Sequence, residues 1–310
     1  MSNILYDIHI TRRRRPPGGR IARIGAWLTF AAGAAVIAPM SGSPRGQPLQ
    51  LVPFAETRPR TFGPLLCDGL SAKTLGSFAD LLALHARLQA EHPGKRVLAS
   101  LDGLAQASYT SGHATDFHGL DDTEGHDLSG LGAEMFENGQ HRGYLSTPAE
   151  FPIRLANLLE RARDIRYEHL VGLLDWGTPA DRNDLITINQ DPEAALRIAE
   201  EEHVLFQVVP VDAAAQTVAA FPNGYFSADL DPMQTYVLAR RLEDEYDLSL
   251  FGIGARMLGF RRKAALPTDR ARTLAKDLAA FYAGAPPAAA EALALLLTGR
   301  DWLLLRYTES

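Results

Sequence analysis

The feature that most constrains the fold of this chain is the alternation of short apolar runs with segments of helical periodicity. The runs RVLASL (96–101), VLFQVVPV (204–211) and DWLLLRY (301–307) have the length and composition of strands. Helices are predicted at 74–91, 268–283 and 287–298. The apolar stripe predicted for the first helix consists of Leu75, Phe78, Ala79, Leu82 and His85 or Ala86. This alternation predicts an α/β or α+β fold, in which helices cover a mixed β-sheet.

A strand–helix–strand unit is predicted at 184–211. Its first strand is DLITIN (184–189) and its second is VLFQVVPV. Between them, Asp191 and Pro192 mark the start of a helix. An Asp side chain before a helix accepts a hydrogen bond from a free backbone amide, and Pro at the first helical position has no hydrogen bond to lose.

The N-terminal 64 residues differ in composition from the rest. NILYDIHITR (3–12) alternates apolar and polar residues and predicts a strand, and 41–64 is rich in Pro, Gly and Ser and predicts a linker. The apolar segment 24–40 follows an arginine cluster at 12–15 and is interpreted as a buried helix, with an export signal, a membrane anchor or a partner-binding helix as alternatives. The predicted domains are therefore 1–64, a main α/β domain at 65–260, and C-terminal helices and a strand at 261–310 packed on it.

Charge and cysteine content limit the class of protein. The net charge is −6, and because residues 1–60 carry nine Arg against Asp7 and Glu56, the remainder carries about −13. An acidic body disfavours nucleic-acid binding and suits a basic partner. Cys67 is the single cysteine, so neither an intramolecular disulfide nor a thiolate metal cluster can form, and a reducing cytoplasm is expected. Cys67 itself is predicted to be a small buried hydrophobe.

Two segments of the chain resemble each other. Residues 136–174 and 221–254 share Phe-x-Asn-Gly, then an aromatic–Ser step, a Pro, and Leu-Ala-x-x-Leu-Glu, in the same order. Each copy has the pattern of a turn, a short strand, an amphipathic helix and a strand. The sequence therefore predicts an internally duplicated strand–helix–strand unit.

The second copy contains two carboxylates, Asp229 and Asp231, just before its helix. At the matching position the first copy has Thr147 and Glu150, the spacing of a capping box, with Pro148 at the first helical position. Because both arrangements begin a helix, capping is the preferred interpretation of the aspartates. A metal-binding Asp-x-Asp remains the alternative.

The segment HATDFHGLDDTEGHD (113–127) concentrates imidazoles and carboxylates. It is interpreted as an exposed acidic loop. Its alternative is a divalent-metal site, with His113, His118 and His126 as ligands and Asp121 or Glu124 as the base of a metal-dependent hydrolase. The glycines of the Gly-x-Gly-Ala-x-Met motifs at 130–135 and 252–257 are interpreted as allowing a strand to pack closely against a neighbour. Nucleotide binding is the alternative, but neither motif continues into a nucleotide-binding sequence.

Two stretches resemble uncharacterised bacterial families. YDIHITR (6–12), followed by Trp27 and Leu28, resembles the opening of immunity proteins that occur beside polymorphic toxins. Residues 223–260 are similar to domains that carry a Tyr-Phe-x-x-Asp-Leu-x-Pro pattern. The resemblance implies a bacterial cytoplasmic protein with a binding role.

The chain is therefore predicted to be a non-enzymatic protein-binding module of the immunity or antitoxin type. It is expected to neutralise a basic toxin or effector without catalytic residues, cofactor, nucleic acid or membrane. The metal-dependent hydrolase is the alternative. The predicted binding residues are Asp121, Asp122, Tyr225, Phe226, Asp229 and Asp231.

Overall fold

The computed structural model describes residues 49–56 and 65–308. The strand predicted at 3–12, the arginine cluster at 12–15 and the apolar segment at 24–40 lie outside the described residues. Within the described ranges, every helix is too short or too polar to cross a membrane.

Strands within the described residues form one large sheet and a small hairpin. Their bounds are β1 Gln50–Pro53, β2 Gly69–Lys73, β3 Arg96–Ser100, β4 Phe136–Glu137, β5 Gln140–His141, β6 Val204–Val209, β7 Ser249–Ile253, β8 Met257–Arg261 and β9 Trp302–Arg306. The large sheet has seven strands in the order β1-β2-β6-β3-β7-β8-β9, and β4 pairs with β5. Neighbours in the large sheet are antiparallel except β3 and β7, which are parallel, so the sheet is mixed.

Helices of the described chain pack on both faces of this sheet. Their bounds are α1 Phe78–Glu91, α2 Leu104–Phe117, α3 Phe151–Ala162, α4 Leu185–Gln190, α5 Pro192–Leu196, α6 Pro232–Tyr246, α7 Thr268–Phe281 and α8 Ala289–Leu297. The larger apolar core includes residues of α2, α3, α6, α7 and α8, and the smaller core includes residues of α1 and α5.

Alternate strand residues enter the two cores. In β9, Leu303 and Leu305 belong to the larger core and Leu304 to the smaller one. A strand that is buried on both faces needs apolar residues at successive positions, which explains the continuous apolar runs in the sequence. The predicted mixed sheet covered by helices is confirmed.

The elements predicted at 74–91, 96–101, 204–211, 268–283, 287–298 and 301–307 are confirmed as α1, β3, β6, α7, α8 and β9. Helix α1 begins later than predicted because the Ser77 side chain accepts a hydrogen bond from the Asp80 amide and caps it. Its predicted stripe is partly wrong, since Ala79 is exposed. The residues of α1 that are buried are Phe78, Leu81, Leu84, His85 and Leu88.

Three predictions about elements need correction. DLITIN forms α4 instead of a strand, so 184–211 is two short helices followed by β6. Part of the predicted linker, Gln50–Pro53, is an edge strand paired with β2. The duplication is not confirmed, because the two copies share a capped helix but only the second continues into a strand, β7.

The C-terminal segment belongs to the same sheet as the main domain. Strand β9 pairs along its whole length with β8, from Trp302 opposite Arg261 to Arg306 opposite Met257. Helices α7 and α8 contribute Leu274 and Leu293 to the larger core. The predicted unit at 261–310 therefore completes the sheet.

Candidate functional site

Helix α2 follows directly after β3 and presents a row of rings away from the core. Its buried residues include Leu104, Ala107 and Ala114. Tyr109, His113 and Phe117 recur every four residues, so they lie on one stripe of the helix surface.

A second pair of rings, Tyr225 and Phe226, meets this stripe from the loop that precedes α6. The ring of His113 lies 4.3 Å from that of Tyr109 and 5.0 Å from that of Tyr225. Phe117 lies 6.3 Å from Tyr225, and Tyr225 lies 5.5 Å from Phe226. These five residues form what we call the aromatic surface.

The rings of the aromatic surface are open to solvent although they are large and apolar. The exposed fractions are 59% for Tyr109, 74% for Phe117, 37% for Tyr225 and 46% for Phe226. Single exposed apolar residues are common on proteins, but contiguous apolar patches mark interaction sites. Tyr225 and Phe226, the two aromatic residues predicted for binding, thus lie beside three further rings. His113 was predicted only as a metal ligand, and Tyr109 and Phe117 were not predicted as site residues.

Buried polar contacts hold the 221–231 loop against α2. Asn223 is buried, and its side-chain Nδ2 donates to the Ala107 carbonyl while its Oδ1 accepts from the Thr110 hydroxyl at 2.5 Å. Gly224 has φ +98°, and a side chain there would overlap the carbonyl of Leu230. The loop therefore presents Tyr225 and Phe226 from a fixed backbone.

The two aspartates of this loop serve the backbone. Asp231 caps α6, because its side chain accepts from the Gln234 amide at 2.8 Å while the Gln234 side chain accepts from the Asp231 amide at 3.0 Å. Asp229 accepts a hydrogen bond from the Phe226 amide. The capping interpretation of Asp231 is confirmed, as is that of Thr147 and Glu150 before α3.

The predicted loop at 113–127 is partly helix, since residues 113–117 form the last turn of α2. Of the two predicted binding aspartates, Asp121 makes a two-pronged ion pair with Arg154 of α3, at 2.7 and 2.9 Å. Asp122 pairs with Arg161 of the same helix at 2.8 Å. Both carboxylates therefore fasten the segment to α3, and Asp121 is not a free surface charge.

The predicted metal ligands are engaged in other contacts. His113 belongs to the aromatic surface, and the ring of His126 lies 2.9 Å from the Asn157 side-chain oxygen. Burial lowers the pKa of His118, against the opposing effect of the Asp231 carboxylate. Across residues 49–56 and 65–308, no cluster of three or more His, Cys, Asp or Glu is arranged to hold a metal ion. His113, His118 and His126 are thus not grouped as a set of three ligands in this structure.

A cleft of about 770 Å³ adjoins the aromatic surface, with Phe226 on its wall. It opens at the carboxyl ends of the parallel pair β3 and β7, a place where α/β proteins often bind ligands. Asp102 lies there and is 3% exposed, and its carboxylate accepts from Nε of Arg256 at 3.0 Å and from the Met257 amide at 3.2 Å.

Asp102 fastens the β7–β8 turn to the end of β3. Burial raises the pKa of Asp102, and the Arg256 guanidinium opposes this effect. Gly254 lies so close to Asp102 that a side chain at residue 254 would overlap it. The close-packing interpretation of the glycines at 252–257 is thus confirmed. The role of Asp102 was not predicted from the sequence.

Cys67 is 4% exposed, as predicted, and burial raises the pKa of its thiol to about 12. A thiol with such a pKa stays protonated near neutral pH and is a poor nucleophile.

Comparison with models of known protein families, with curated proteins and with solved structures gave no match.

Proposed function

We propose that this protein is a non-enzymatic binding module of the immunity or antitoxin type, which binds a basic protein partner through the aromatic surface. The observation that carries the proposal is the set of five contiguous rings on α2 and the 221–231 loop. Tyr and Phe are enriched at the centres of protein interfaces, because a rigid ring buries a large apolar area at little entropic cost.

The charge around the aromatic surface favours a basic partner. Residues 104–141 contain seven acidic residues and no Lys or Arg: Asp116, Asp121, Asp122, Glu124, Asp127, Glu134 and Glu137. Arg154 and Arg161 neutralise two of them from α3. The remaining carboxylates would speed the approach of a cationic protein, while the rings would supply most of the affinity.

The rigidity of the surface supports a preformed binding site. The loop is fixed by the buried Asn223 contacts and by the Asp231 cap, so its two rings need little ordering when a partner binds. An interface that is ordered before association retains more of its contact energy as affinity.

The proposal is tested with a photoreactive phenylalanine analogue placed at residue 117 in the full chain and irradiated in cells of its source. The matched control carries the analogue at Leu295, which is 75% exposed on α8 against 74% for Phe117. A protein that is captured from 117 but not from 295 is then purified and its affinity is measured.

We expect Phe117→Ala and Tyr225→Ala each to weaken that affinity about thirtyfold, the effect of a typical interface hot spot. Asp116→Lys should slow association, and raised salt should do the same. The proposal fails if the same proteins are captured from both positions, if captured proteins bind the alanine variants unchanged, or if the species crosslinked is a second copy of this chain.

A further inference from the structure

A separate cavity of about 330 Å³ lies on another face of α2. Ser108, Ser111 and Thr115 line it, at the i, i+3 and i+7 spacing that places three side chains on one stripe of a helix. Ser111 and Thr115 are each only 8% exposed. Three hydroxyl groups are thus gathered at the wall of one small cavity.

These hydroxyls do not bond to their own helix, as serine and threonine in a helix commonly do. Thr273 of α7 donates to the Asp269 carbonyl at 3.0 Å, and Thr298 donates to the Ala294 carbonyl at 2.8 Å. By contrast, the Ser108 hydroxyl oxygen is buried without a partner among the described residues. The Ser111 and Thr115 hydroxyls make no hydrogen bond with any part of the described chain.

Leaving the buried Ser108 hydroxyl unpaired is unfavourable, and the Ser111 and Thr115 hydroxyls are free to bond, so the cavity suits an occupant that can both donate and accept hydrogen bonds. The Asp121–Arg154 ion pair forms another part of the wall. Its two charges neutralise each other at close range. The other charged residue of the wall, Asp116, is exposed to solvent, which screens its carboxylate, so the cavity selects neither an anion nor a cation strongly. Arg154 uses two of its five N–H groups on Asp121, and three remain as donors.

Apolar groups complete the wall and limit the size of the occupant. Phe221 is buried there, and Tyr144 is 51% exposed. A sugar ring or cyclic polyol presents C–H groups on its faces, which pack on aromatic rings, and hydroxyls at its edge. Ligand pockets usually measure about 300–1,000 Å³, so this one is suited to a single small molecule.

We propose that this cavity binds a small neutral polyhydroxylated molecule of monosaccharide size, held by Ser108, Ser111, Thr115 and the Asp121–Arg154 pair. This site is independent of the protein-binding function proposed for the aromatic surface.

The test is saturation-transfer NMR on the full chain with D-glucose, D-galactose, D-mannose, N-acetyl-D-glucosamine and myo-inositol. D-Glucose 6-phosphate and D-glucosamine serve as charged counterparts. We expect saturable binding of at least one neutral probe, and weaker binding of its charged counterparts. If none of the neutral probes binds saturably, the cavity holds water and the proposal is wrong.

Variants locate the binding in the cavity. Thr115→Val preserves the shape of the side chain and removes its hydroxyl, and it should weaken binding about threefold to tenfold, as should Ser111→Ala. Gly112→Leu favours helix formation and places a side chain where the helix surface is open, so it should abolish binding without unfolding the protein.

Thr273→Val on the exposed surface of α7 makes the same chemical change outside the cavity and should leave binding unaltered. If binding persists unchanged in Thr115→Val and Gly112→Leu, the probe binds elsewhere and the proposal is overturned.

Discussion

Glu150 is fully buried, yet its pKa is lowered. Burial opposes its ionisation, but hydrogen bonds from the Ser146 amide, the His141 ring and the side chain and amide of Thr147 outweigh that effect. The Ser146 and Thr147 amides lie 2.8 and 2.9 Å from Oε2, and Nε2 of His141 lies 2.7 Å from Oε1. The ionised carboxylate therefore organises the turn that begins α3.

We expect Glu150→Gln to lower the free energy of unfolding by about 1–3 kcal/mol near neutral pH, because the buried donors lose a charged acceptor. A depressed folded-state pKa stabilises the protein above the unfolded-state value of about 4.3, and this stabilisation is lost as the pH falls through the folded-state pKa. Urea unfolding from neutral to acidic pH measures both effects. The variant and the native protein should converge in acid, whereas Glu160→Gln on the exposed face of α3 should differ from the native protein by less than about 0.5 kcal/mol throughout.

Cys67 should be almost inert towards a disulfide reagent while the protein is folded. Its thiol is buried, its pKa is raised to about 12, and the thiolate is the reactive form. Labelling with and without denaturant checks this expectation: one thiol should react promptly after unfolding and very slowly before it. Equal rates in the two states would show that Cys67 is accessible.

Local spacing allowed some residue roles to be predicted. The capping roles of Thr147, Glu150 and Asp231 depend on neighbours within three positions, and the sequence contains that information. The role of Asp121 does not, because its partner Arg154 is 33 residues away and the pairing depends on how α3 packs. The contact between His113 and Tyr225 could not be predicted for the same reason, because these residues are far apart in the sequence.

At the scale of secondary-structure elements, short apolar runs were the hardest to assign to a helix or a strand. DLITIN is short and rich in β-branched residues, as strands are, but Asp184 accepts hydrogen bonds from the Ile186 and Thr187 amides and begins a helix. Asn189 then donates to the Leu304 carbonyl and accepts from the Leu304 amide, so α4 attaches to β9 through a side chain. The sequence contains Asp184 as a capping signal, but the β-branched residues after it favoured the strand prediction.

Asp231→Ala should destabilise the protein by about 1 kcal/mol, because α6 loses its N-cap. Asp231→Asn should retain most of that stability, since an amide oxygen also caps a helix. Urea unfolding of both variants, with and without added manganese or zinc, measures the difference. Equal losses in the two variants, together with stabilisation of the native protein by either metal, would support the metal-binding alternative instead.

At the scale of the whole molecule, the two apolar cores lie on opposite faces of one sheet, so we expect them to unfold together. Leu304→Ala removes apolar contact from the smaller core, and Leu305→Ala removes it from the larger one. Each should cost about 2–5 kcal/mol, because both side chains are completely buried. Both variants should still unfold in one transition that far-UV circular dichroism and tryptophan fluorescence report alike.

Leu295→Ala on the exposed side of α8 is the control and should change stability by less than about 0.5 kcal/mol. Separate transitions for the two core variants would mean that the two faces fold independently.

The fold class was predictable from the sequence, but the strand order was not. Apolar runs and helical stripes identified β3, β6 and β9 because burial on both faces leaves a continuous hydrophobic signal. Nothing local indicates that β6 inserts between β2 and β3, since that choice depends on contacts between distant parts of the chain.

The insertion of β6 between β2 and β3 limits the order in which the sheet can form during translation. The ribosome releases β2, α1 and β3 early, and the strand that must separate them follows only after α2, α3, α4 and α5 have been made. Until then, two nascent strand edges carry unpaired amides and carbonyls that can recruit other chains. The centre of the sheet therefore cannot be completed until β6 has been synthesised.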